Sequence, residues 1–524
     1  MAEKVAYLPP YERAKRAKRK REELILRGLT PDWFLKQDSL CLPPGMRVAV
    51  IGGGFAGLSA AWYLTECGVR TTLYEASGAI GGRVRTNRTF APGKLVEDGA
   101  ELIGENHPLW GLHAIRLGLK LQELTDDEAA GWTVRTRFAG KDLTKAQKAA
   151  LDASLMKHFT TIGAAGSAID EITPWRSADA KAADNISIAN MLDKLLGKGL
   201  SLERMWFNFT LSNDNCADVS KQSYLGLLAS VSAARMGSDP LGMTGYWFST
   251  ETHRCAGGND QLGTRLSQQL RDLRLRNVVQ RVRIEPTFVP PVRIVSTEYD
   301  DKGNAIRQRT DDVDYVILAV PPTVWSAINF TPVFDPVGRA MQHGASVKFM
   351  SRYDTRFWED TKLAPTTKWD ELGSVWEGTD NQGTAPPFDL TVFSGGPYVL
   401  SGSAYPARLA TIYPPGKPPN GTPTAQHLMD WPSEPFIRTG YAIPGVGQMT
   451  TISPNQVAPH AQRLYFAGEQ TSPGFFGYME GALQTGARAA RDIIKSTALP
   501  CRYASSGYKG GGGATGGGGS TDDY

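Results

Sequence analysis

The sequence predicts an α/β protein with a second lobe of α+β character, on the strength of three observations. An apolar run, Val48–Ile51, leads into glycines spaced as G-x-G-x-x-G at Gly52, Gly54 and Gly57. A small-residue helical pattern, a second strand and an acidic residue follow directly. A distant stretch, residues 464–494, again runs from a strand through a glycine turn into a helix. Together they predict a Rossmann-like nucleotide-binding domain of discontinuous segments, beside a domain of helices and a mixed sheet.

Each part of the glycine turn has a physical role. Gly52 permits the tight turn, Gly54 lets the backbone approach a pyrophosphate, and Gly57 lets the helix pack closely on the strand. The free N–H groups and positive dipole end of the helix then hold phosphates. Glu75 lies 18 residues beyond Gly57, where a carboxylate accepts hydrogen bonds from a ribose. The alternative is a plain α/β turn, but the strand and helix on either side favour a dinucleotide site.

The next glycines decide which dinucleotide is expected. The triplet Gly81-Gly82-Arg83 follows shortly after Glu75. Such a loop closes over the same pyrophosphate, with the arginine as counter-charge. A Gly-Ala step at Gly99 and Ala100 then permits the backbone to approach a flat ring. These features favour a buried FAD over NAD.

Composition places limits on the function. The chain has 524 residues, of which 41% are hydrophobic and 21% charged, as in ordinary globular proteins. The formal net charge of +4 is uneven, because residues 1–27 hold nine Lys or Arg against four Asp or Glu. The remaining chain carries a net charge of −1, so it lacks the basic excess of a nucleic-acid surface.

Cysteines and apolar runs predict a cytoplasmic protein. The five cysteines are scattered without C-x-x-C spacing, which argues against a disulfide scaffold or zinc site, predicts no metal and fits a reducing compartment. The N-terminus lacks the apolar stretch of a secretory signal. No apolar run reaches the roughly 18–20 residues of a membrane span. The cysteines are Cys41, Cys67, Cys216, Cys255 and Cys501.

The chain ends are compositionally distinct from the body. Residues 11–26 predict a basic helix that stops at Gly28. A solvated helix is the simplest interpretation, with contact to nucleic acid, an anionic membrane or an acidic partner as the alternatives. Residues 498–524 are glycine-rich and predict a disordered tail. The expected FAD domain comprises residues 46–104, 252–335 and 431–497. The expected substrate domain has a helical part, 105–251, and a strand part, 336–430. The basic helix and linker occupy residues 1–45, and the tail occupies 498–524.

Between these segments the pattern alternates. Residues 105–250 are mostly helical in pattern, and a helix is predicted over residues 264–273. Apolar runs predict strands at residues 278–284 and 314–320. We expect both strands to lie in the same sheet as Val48–Ile51, which makes the nucleotide domain discontinuous.

Lys348 stands in an otherwise apolar strand pattern, Ser346–Met350. Burying an isolated ammonium is costly, so a buried lysine must be paired, hydrated or functional. The competing interpretation is a strand-end lysine whose ammonium extends to solvent. The residue pattern alone leaves both open.

Over roughly residues 46–497 the chain resembles the flavin-dependent amine oxidases, which include monoamine, polyamine and L-amino-acid oxidases. The resemblance rests on the motifs VAVIGGGFAGLSAA, GGRVRT, GGNDQL, DYVILAVPP and YFAGEQTSPGFFGYMEGALQTG, together with Glu75 and Lys348. It implies FAD as the cofactor and an amine oxidised by hydride transfer to flavin N5. The imine is then hydrolysed to an aldehyde or ketone and ammonia, and dioxygen is reduced to hydrogen peroxide.

By this resemblance Lys348 holds a water against flavin N5, and Tyr441 and Tyr478 sandwich the substrate nitrogen. From the residues alone, Tyr478 reads as a core aromatic. Glu469 is expected at the ribityl or pyrophosphate region, and the Met479 backbone at a flavin carbonyl. The residues expected to bind the cofactor are Gly52, Gly54, Phe55, Ala56, Gly57, Glu75, Ala76, Gly82, Arg83, Gly99, Ala100, Glu101, Val279, Gly468, Glu469, Tyr478 and Met479.

Two departures from the family pattern matter. Monoamine oxidases attach their flavin through a cysteine beside the cage tyrosine, where this chain has Gly440, so covalent attachment there is impossible and we expect non-covalent FAD. Many L-amino-acid oxidases bind the substrate carboxylate with an arginine after the Gly-Ala step, where this chain has Leu102. Arg438 is the substitute cation that we name as a substrate-binding candidate, and simple amines are preferred to L-amino acids.

Two further hypotheses are weighed. A flavin-bearing module that docks through its basic helix is disfavoured, because the flavin, lysine and cage motifs are complete. A peptide-demethylating role is disfavoured, because the chain lacks a long helical insertion. We expect a homodimer.

Overall fold

A computed structural model of the chain describes residues 22–235, 243–412 and 422–501. Its nucleotide domain is built on a five-stranded, all-parallel sheet whose strands come from distant parts of the sequence. In spatial order these strands are Asp272–Arg274, Arg70–Tyr74, Arg47–Ile51, Tyr315–Leu318 and Leu464–Phe466. The predicted strand at residues 314–320 therefore lies beside Val48–Ile51, as expected.

Both faces of the first strand are buried, which explains its uninterrupted apolar run. Val48 and Val50 belong to the core that includes the helix Phe55–Glu66, whereas Ala49 and Ile51 face a second core on the other side of the sheet. The last helix, Met479–Thr497, packs against Phe55–Glu66.

The strand predicted at residues 278–284 is present, but the prediction that it joins the sheet of Val48–Ile51 is wrong. That segment forms the strand Asn277–Ile284, but it belongs to a separate four-stranded sheet. Its partners are antiparallel Val292–Tyr299 and parallel Asn329–Thr331. An apolar strand pattern reports burial and carries no information about the neighbouring strand. The order of this sheet is Ala305–Val313, Val292–Tyr299, Asn277–Ile284 and Asn329–Thr331.

The second lobe is built on a seven-stranded mixed sheet and a group of helices. Two of its strands, Thr133–Phe138 and Lys141–Asp142, come from the region predicted as mostly helical. That prediction missed them because they alternate polar and apolar residues over only a few positions. The spatial order is Ala425–Asp430, Ser346–Tyr353, Phe388–Gly395, Gly373–Glu377, Leu363–Trp369, Thr133–Phe138 and Lys141–Asp142.

Four two-stranded pairs connect these units. They are Leu40–Cys41 with Leu499–Pro500, Thr86–Asn87 with Val96–Glu97, Leu121–Glu123 with His253–Cys255, and His343–Gly344 with Tyr441–Ala442. The α-helices that the structure describes in full are Asp32–Leu35, Phe55–Glu66, Pro108–Leu117, Lys145–Ser167, Ala180–Asp184, Ile188–Leu196, Leu202–Asp214, Tyr224–Ala233, Met243–Phe248, Asp260–Ser267, Tyr405–Ala410, Gln448–Thr451, Ser453–Val457 and Met479–Thr497.

Some predicted boundaries also change. The helix expected over residues 264–273 is Asp260–Ser267, and the strand Asp272–Arg274 follows it. Residues 22–26 of the predicted basic helix are helical. The rest of that helix and the glycine-rich tail after residue 501 lie outside the described residues. No helix in residues 22–235, 243–412 and 422–501 is long and apolar enough to cross a membrane.

The scattered cysteines argue against a disulfide scaffold and give no sign of the disulfide that the structure contains. Cys41 and Cys501 are joined across the short pair of strands that brings them together, although 460 positions separate them in the sequence. Cys67, Cys216 and Cys255 are free and buried. A pairing over such a distance has no local sequence signal, so scattered cysteines were a poor guide.

We expect a reducing agent to lower the midpoint of thermal unfolding by a few degrees, because a disulfide stabilises a fold mainly by restricting its unfolded chain. Differential scanning calorimetry with and without dithiothreitol measures the shift. The Cys41→Ser/Cys501→Ser double variant is the control and should no longer respond to the reductant. An identical midpoint in both buffers for the unmodified chain would contradict this expectation.

Candidate active site

A cavity of about 1200 Å³ lies between the nucleotide domain and the seven-stranded sheet. It exceeds the roughly 300–1000 Å³ of ordinary small-molecule sites, so it has room for a dinucleotide and a second ligand. All of the residues that the sequence predicted for binding or catalysis line it, with the exception of Gly57. The structure therefore brings together, in one cavity, residues from widely separated stretches of the chain.

The glycine turn forms one end of this cavity. Gly52 has a φ of 107°, which only glycine adopts without strain. A Cβ at Gly54 would have no neighbour closer than 4.0 Å, so its backbone faces open space. The helix Phe55–Glu66 begins there without a side-chain cap, so its first N–H groups are free to bind an anion. A Cβ at Gly57 would lie 1.8 Å from the Gly52 carbonyl oxygen, which confirms its packing role.

Glu75 holds this turn in place through hydrogen bonds to its backbone. One carboxylate oxygen accepts a hydrogen bond from Gly53 N at 2.6 Å, and the other accepts one from Ser77 N at 2.8 Å. The side chain is buried yet lines the cavity. Each oxygen keeps a lone pair that a ribose hydroxyl can use. An anion-binding helix start, a bare backbone and this carboxylate fit the phosphates and ribose of FAD.

Glu469 joins three segments at the centre of the cavity wall. It accepts hydrogen bonds from Arg83 at 2.9 Å, from Gly477 N at 2.7 Å and from Ala442 N at 3.2 Å. Arg83 also donates to the Gly440 carbonyl at 2.7 Å. This carboxylate therefore holds together the two segments that carry the predicted cage tyrosines, through Ala442 beside Tyr441 and Gly477 beside Tyr478. The cofactor contacts that the resemblance implies for it stay a prediction.

A second helix start faces the same space. Met479 begins the last helix and lines the cavity, and no side chain caps that helix start. The following carboxylate, Glu480, is buried and accepts hydrogen bonds from Leu109 N and Trp110 N at 2.9 and 2.8 Å. The first turn is thus anchored, and its backbone presents positive partial charge to the cavity.

Lys348 is 5% exposed and stands third in the strand Ser346–Tyr353, which has a neighbouring strand on both sides. Its Nζ donates to the Glu97 carbonyl at 3.0 Å and to Glu101 Oε2 at 2.6 Å. The strand-end interpretation is therefore wrong, because the ammonium is paired inside the protein. Glu101, predicted only as a cofactor contact, is the ion-pair partner of this lysine.

Tyr441 and Tyr478 line the end of the cavity nearest the second lobe. The Tyr441 hydroxyl donates to the Asp214 carbonyl, and its ring stacks on Phe393 with centroids 6.4 Å apart. The Tyr478 ring meets His107 edge to face at 5.3 Å. Burial raises the pKa of both phenols well above their usual value, so both rings stay neutral at physiological pH.

Sequence reasoning missed the charged groups beside these tyrosines. Glu251 lines the cavity and has no hydrogen bond or ion pair with the described residues. The Glu251 side chain is exposed to the cavity, and its desolvation by the surrounding protein, followed by the charge of Asp214, raises the pKa of Glu251 to about 7. Asp214 pairs with Lys368 at 3.7 Å. Glu251 sits in a loop without periodicity, so the sequence offered no signal for it.

Among the described residues of the cavity wall, Arg438 is the one cation without a carboxylate partner. Arg438 is exposed, and its Nε donates to the Pro435 carbonyl at 3.1 Å. Its role as a substrate contact stays a prediction. The paired groups are Arg83 with Glu469, Arg85 with Glu434, Arg254 and Lys348 with Glu101, Arg356 with Glu377, and Lys368 with Asp214.

The cavity offers no attachment point for a covalent flavin at the position beside Tyr441. A Cβ at Gly440 would lie 2.5 Å from Ser346 Oγ, so a side chain there has no room. Among the described lining residues none is a cysteine or a histidine. In the described ranges, no group of three or more His, Cys, Asp or Glu could hold a metal ion.

Comparison with known proteins gives a consistent result. Residues 55–494 match the family model described as flavin containing amine oxidoreductase. The chain is 25% identical to the flavin-containing amine oxidase of Oncorhynchus mykiss over 476 residues, 85% of each chain. It is 25% identical to amine oxidase B of Homo sapiens, over 85% of this chain and 86% of that protein.

Solved structures show the same fold. Cyclohexylamine oxidase from Brevibacterium oxydans matches with a TM-score of 0.70 at 21% identity, over 86% of this chain and 99% of that one. Putrescine oxidase bound to putrescine matches with a TM-score of 0.68 at 21% identity, over 86% of this chain and 100% of that one.

Proposed function

We propose that this chain, which belongs to the flavin-containing amine oxidoreductase family, oxidises a simple amine without a neighbouring carboxylate and passes the electrons to dioxygen. Family membership confirms the FAD cofactor, the fold and the amine oxidoreductase class expected from the motifs. In the proposed reaction an amine, dioxygen and water give an aldehyde or ketone, ammonia and hydrogen peroxide. When bound, the FAD takes two electrons from the substrate and returns them to dioxygen.

The charge balance of the cavity carries the choice of an amine over an amino acid. Glu251 is an unpaired carboxylate beside the tyrosines, where its charge contributes to raising the pKa of Tyr478 after burial. It attracts an ammonium group and repels a carboxylate. The cations of this end, Lys368 and Arg254, are already engaged by Asp214 and Glu101. An amino acid would therefore bring its carboxylate to a wall with a surplus of negative charge.

The tyrosines supply a matching surface for the nitrogen. Tyr441 is fixed by its hydroxyl and by Phe393, and a Cβ at Gly477 would lie 2.9 Å from its ring. Neutral aromatic faces carry negative partial charge and attract a cationic or partly positive nitrogen. The rings therefore support binding of the amine end of the substrate.

A peroxide-coupled screen of amines and L-amino acids, each beside its N- or C-blocked analogue, tests the proposal. We expect turnover of amines such as tyramine, benzylamine or putrescine without any carboxylate requirement. Turnover of free L-amino acids alone would overturn it in favour of an L-amino-acid oxidase. In that case Arg438→Ala would show whether Arg438 binds the carboxylate of the amino acid.

Glu251→Gln should raise the KM for a cationic amine about tenfold, the effect of about 1.4 kcal/mol, with little change in kcat. Loss of a charge that acts equally on bound substrate and transition state appears in KM. In the unmodified enzyme KM should fall as the pH rises through about 7, because Glu251 becomes ionised there. Initial rates at several pH values measure both effects.

Glu371→Gln is the matched control, since Glu371 is a carboxylate of the same lobe that pairs with Arg408 at the surface. It should keep the KM of the unmodified enzyme at every pH. If Glu251→Gln kept both the KM and its pH dependence, Glu251 would have no part in binding the amine.

A further inference from the structure

Glu101 is a buried carboxylate of the cavity wall that contacts Lys348, Arg254 and Trp376. It is 4% exposed. Its Oε2 accepts a hydrogen bond from Lys348 Nζ at 2.6 Å and its Oε1 accepts one from Trp376 Nε1 at 2.9 Å, while Oε1 also forms an ion pair with Arg254 at 2.6 Å. These three partners stand on three different strands, Ser346–Tyr353, His253–Cys255 and Gly373–Glu377. The carboxylate therefore joins segments that are far apart in the sequence.

Arg254 makes this arrangement rigid. Its guanidinium also donates to the carbonyls of Glu377 at 3.0 Å and Gly378 at 3.3 Å. The arginine is thus fixed by backbone as well as by Glu101, and Glu101 cannot rotate without breaking a buried ion pair. Burial alone would raise the pKa of Glu101, but Arg254 and Lys348 outweigh it and lower that pKa, so the carboxylate stays charged.

The lysine is left with one free donor. An ammonium group has three N–H bonds, and Lys348 uses one on the Glu97 carbonyl and one on Glu101. Lys348 lines the cavity. Because two N–H directions are fixed by partners in the protein, the direction of the third N–H follows from tetrahedral geometry.

We infer that Glu101 is a positioning residue, which holds Lys348 so that its remaining N–H points into the cavity for the reaction with dioxygen. The inference rests on the proposed oxidase function, since it concerns the return of electrons to dioxygen. A carboxylate suits this place, because two hydrogen-bond donors and the Arg254 guanidinium converge on its two oxygens. The amide of a glutamine would turn its NH₂ group either toward Lys348, where it opposes that donor, or toward Arg254 and Trp376, where it opposes both.

Glu101→Gln should therefore slow the reoxidation of bound, reduced FAD by dioxygen about tenfold, at the lower end of what a small misplacement costs. The flavin is reduced anaerobically by light, mixed with oxygenated buffer and followed by its absorbance, so no amine is needed. Asp389→Asn is the matched control. Asp389 is a buried carboxyl group on the neighbouring strand, where it accepts a hydrogen bond from the Thr391 hydroxyl, and it does not line the cavity. Because burial raises the pKa of Asp389 to about 8, all variants are compared above that pH, where Asp389 is ionised as well.

The double variant Glu101→Gln/Lys348→Met separates positioning from a purely structural role. If Glu101 acts through Lys348, the double variant reoxidises no more slowly than Lys348→Met alone, because the pair acts as a unit. A further tenfold loss in the double variant, or an unchanged rate in Glu101→Gln, would overturn the inference. The dissociation constant of FAD and the unfolding midpoint of the apoprotein, measured for each variant, report any general damage.

Glu101→Asp serves if the glutamine variant does not fold. It keeps the charge, but its carboxylate is one methylene short of Lys348, so the same slowing and the same dependence on Lys348 are expected. Failure of the proposed oxidase function can be distinguished from failure of the Glu101 inference. The unmodified protein would then reoxidise no faster than free reduced FAD, whatever residue stands at position 101.

Discussion

Replacing Lys348 with methionine should slow the reoxidation of reduced FAD by dioxygen about 100-fold, as for the loss of a preorganised charge that stabilises a developing anion. Dioxygen gains negative charge as it accepts electrons. The Lys348 ammonium lies in a buried wall where that charge is weakly screened. Methionine fills a similar volume without charge, and Glu101 keeps Arg254 as its partner. Stopped-flow absorbance after anaerobic reduction gives the rate.

Lys94→Met is the matched control for this experiment. Lys94 is buried in the same part of the molecule, where its Nζ lies 4.0 Å from the Phe388 ring centroid, and it does not line the cavity. The control removes a buried ammonium without touching the active site, and it should reoxidise at the unmodified rate. A Lys348→Met protein that reacts with dioxygen as fast as the unmodified protein would remove the lysine from this step.

Gly57→Ala should weaken FAD binding at least tenfold and destabilise the nucleotide domain by about 1–3 kcal/mol, the usual cost of overpacking. The added Cβ would lie 1.8 Å from the Gly52 carbonyl oxygen, which is backbone and cannot rotate away. The helix Phe55–Glu66 must then move off the first strand, and its free N–H groups leave the phosphate position. Flavin absorbance of the purified protein and titration of the apoprotein with FAD measure the loss.

Gly111→Ala provides the comparison, because Gly111 lies in the helix Pro108–Leu117 and a Cβ there meets nothing within 4 Å. The same substitution should leave FAD binding intact and stabilise the protein slightly, since alanine is the better helix former. Equal FAD affinity in Gly57→Ala and Gly111→Ala would refute the packing role of Gly57.

Features whose residues lie close together in the sequence could be predicted from it, whereas features that join distant residues could not. The glycine turn, the first strand and Glu75 lie within 30 residues, so spacing alone located them. The partners of Lys348 were invisible, because Glu97 and Glu101 stand 251 and 247 positions away. Arg254, Trp376 and Glu251 were missed for the same reason. Their role depends on which strands become neighbours, and periodicity does not report that.

Misassignments have the same origin. The segment Asn277–Ile284 was correctly read as a strand but placed in the wrong sheet. The disulfide between Cys41 and Cys501 joins the two ends of the described chain. Resemblance to a family singled out Lys348, Tyr441 and Tyr478, which the residue pattern left open, and all three line the cavity, while their roles stay predictions. It could not supply Glu251 or the direct pairing of Glu101, because they are features of this chain's own cavity.

The order of strands in the parallel sheet has a consequence for synthesis on the ribosome. The strand Arg47–Ile51 emerges early, but its neighbour Tyr315–Leu318 and the edge strand Leu464–Phe466 are made hundreds of residues later. The contacts of residues 22–41 form later still, because Arg27 and Trp33 contact Arg491 and Lys495 of the last helix. Local helices such as Lys145–Ser167 and Tyr224–Ala233 can form while translation proceeds. The nascent chain therefore carries the apolar first strand beside Arg70–Tyr74 alone until Tyr315–Leu318 has been made, and during that interval the open side of the sheet depends on chaperones.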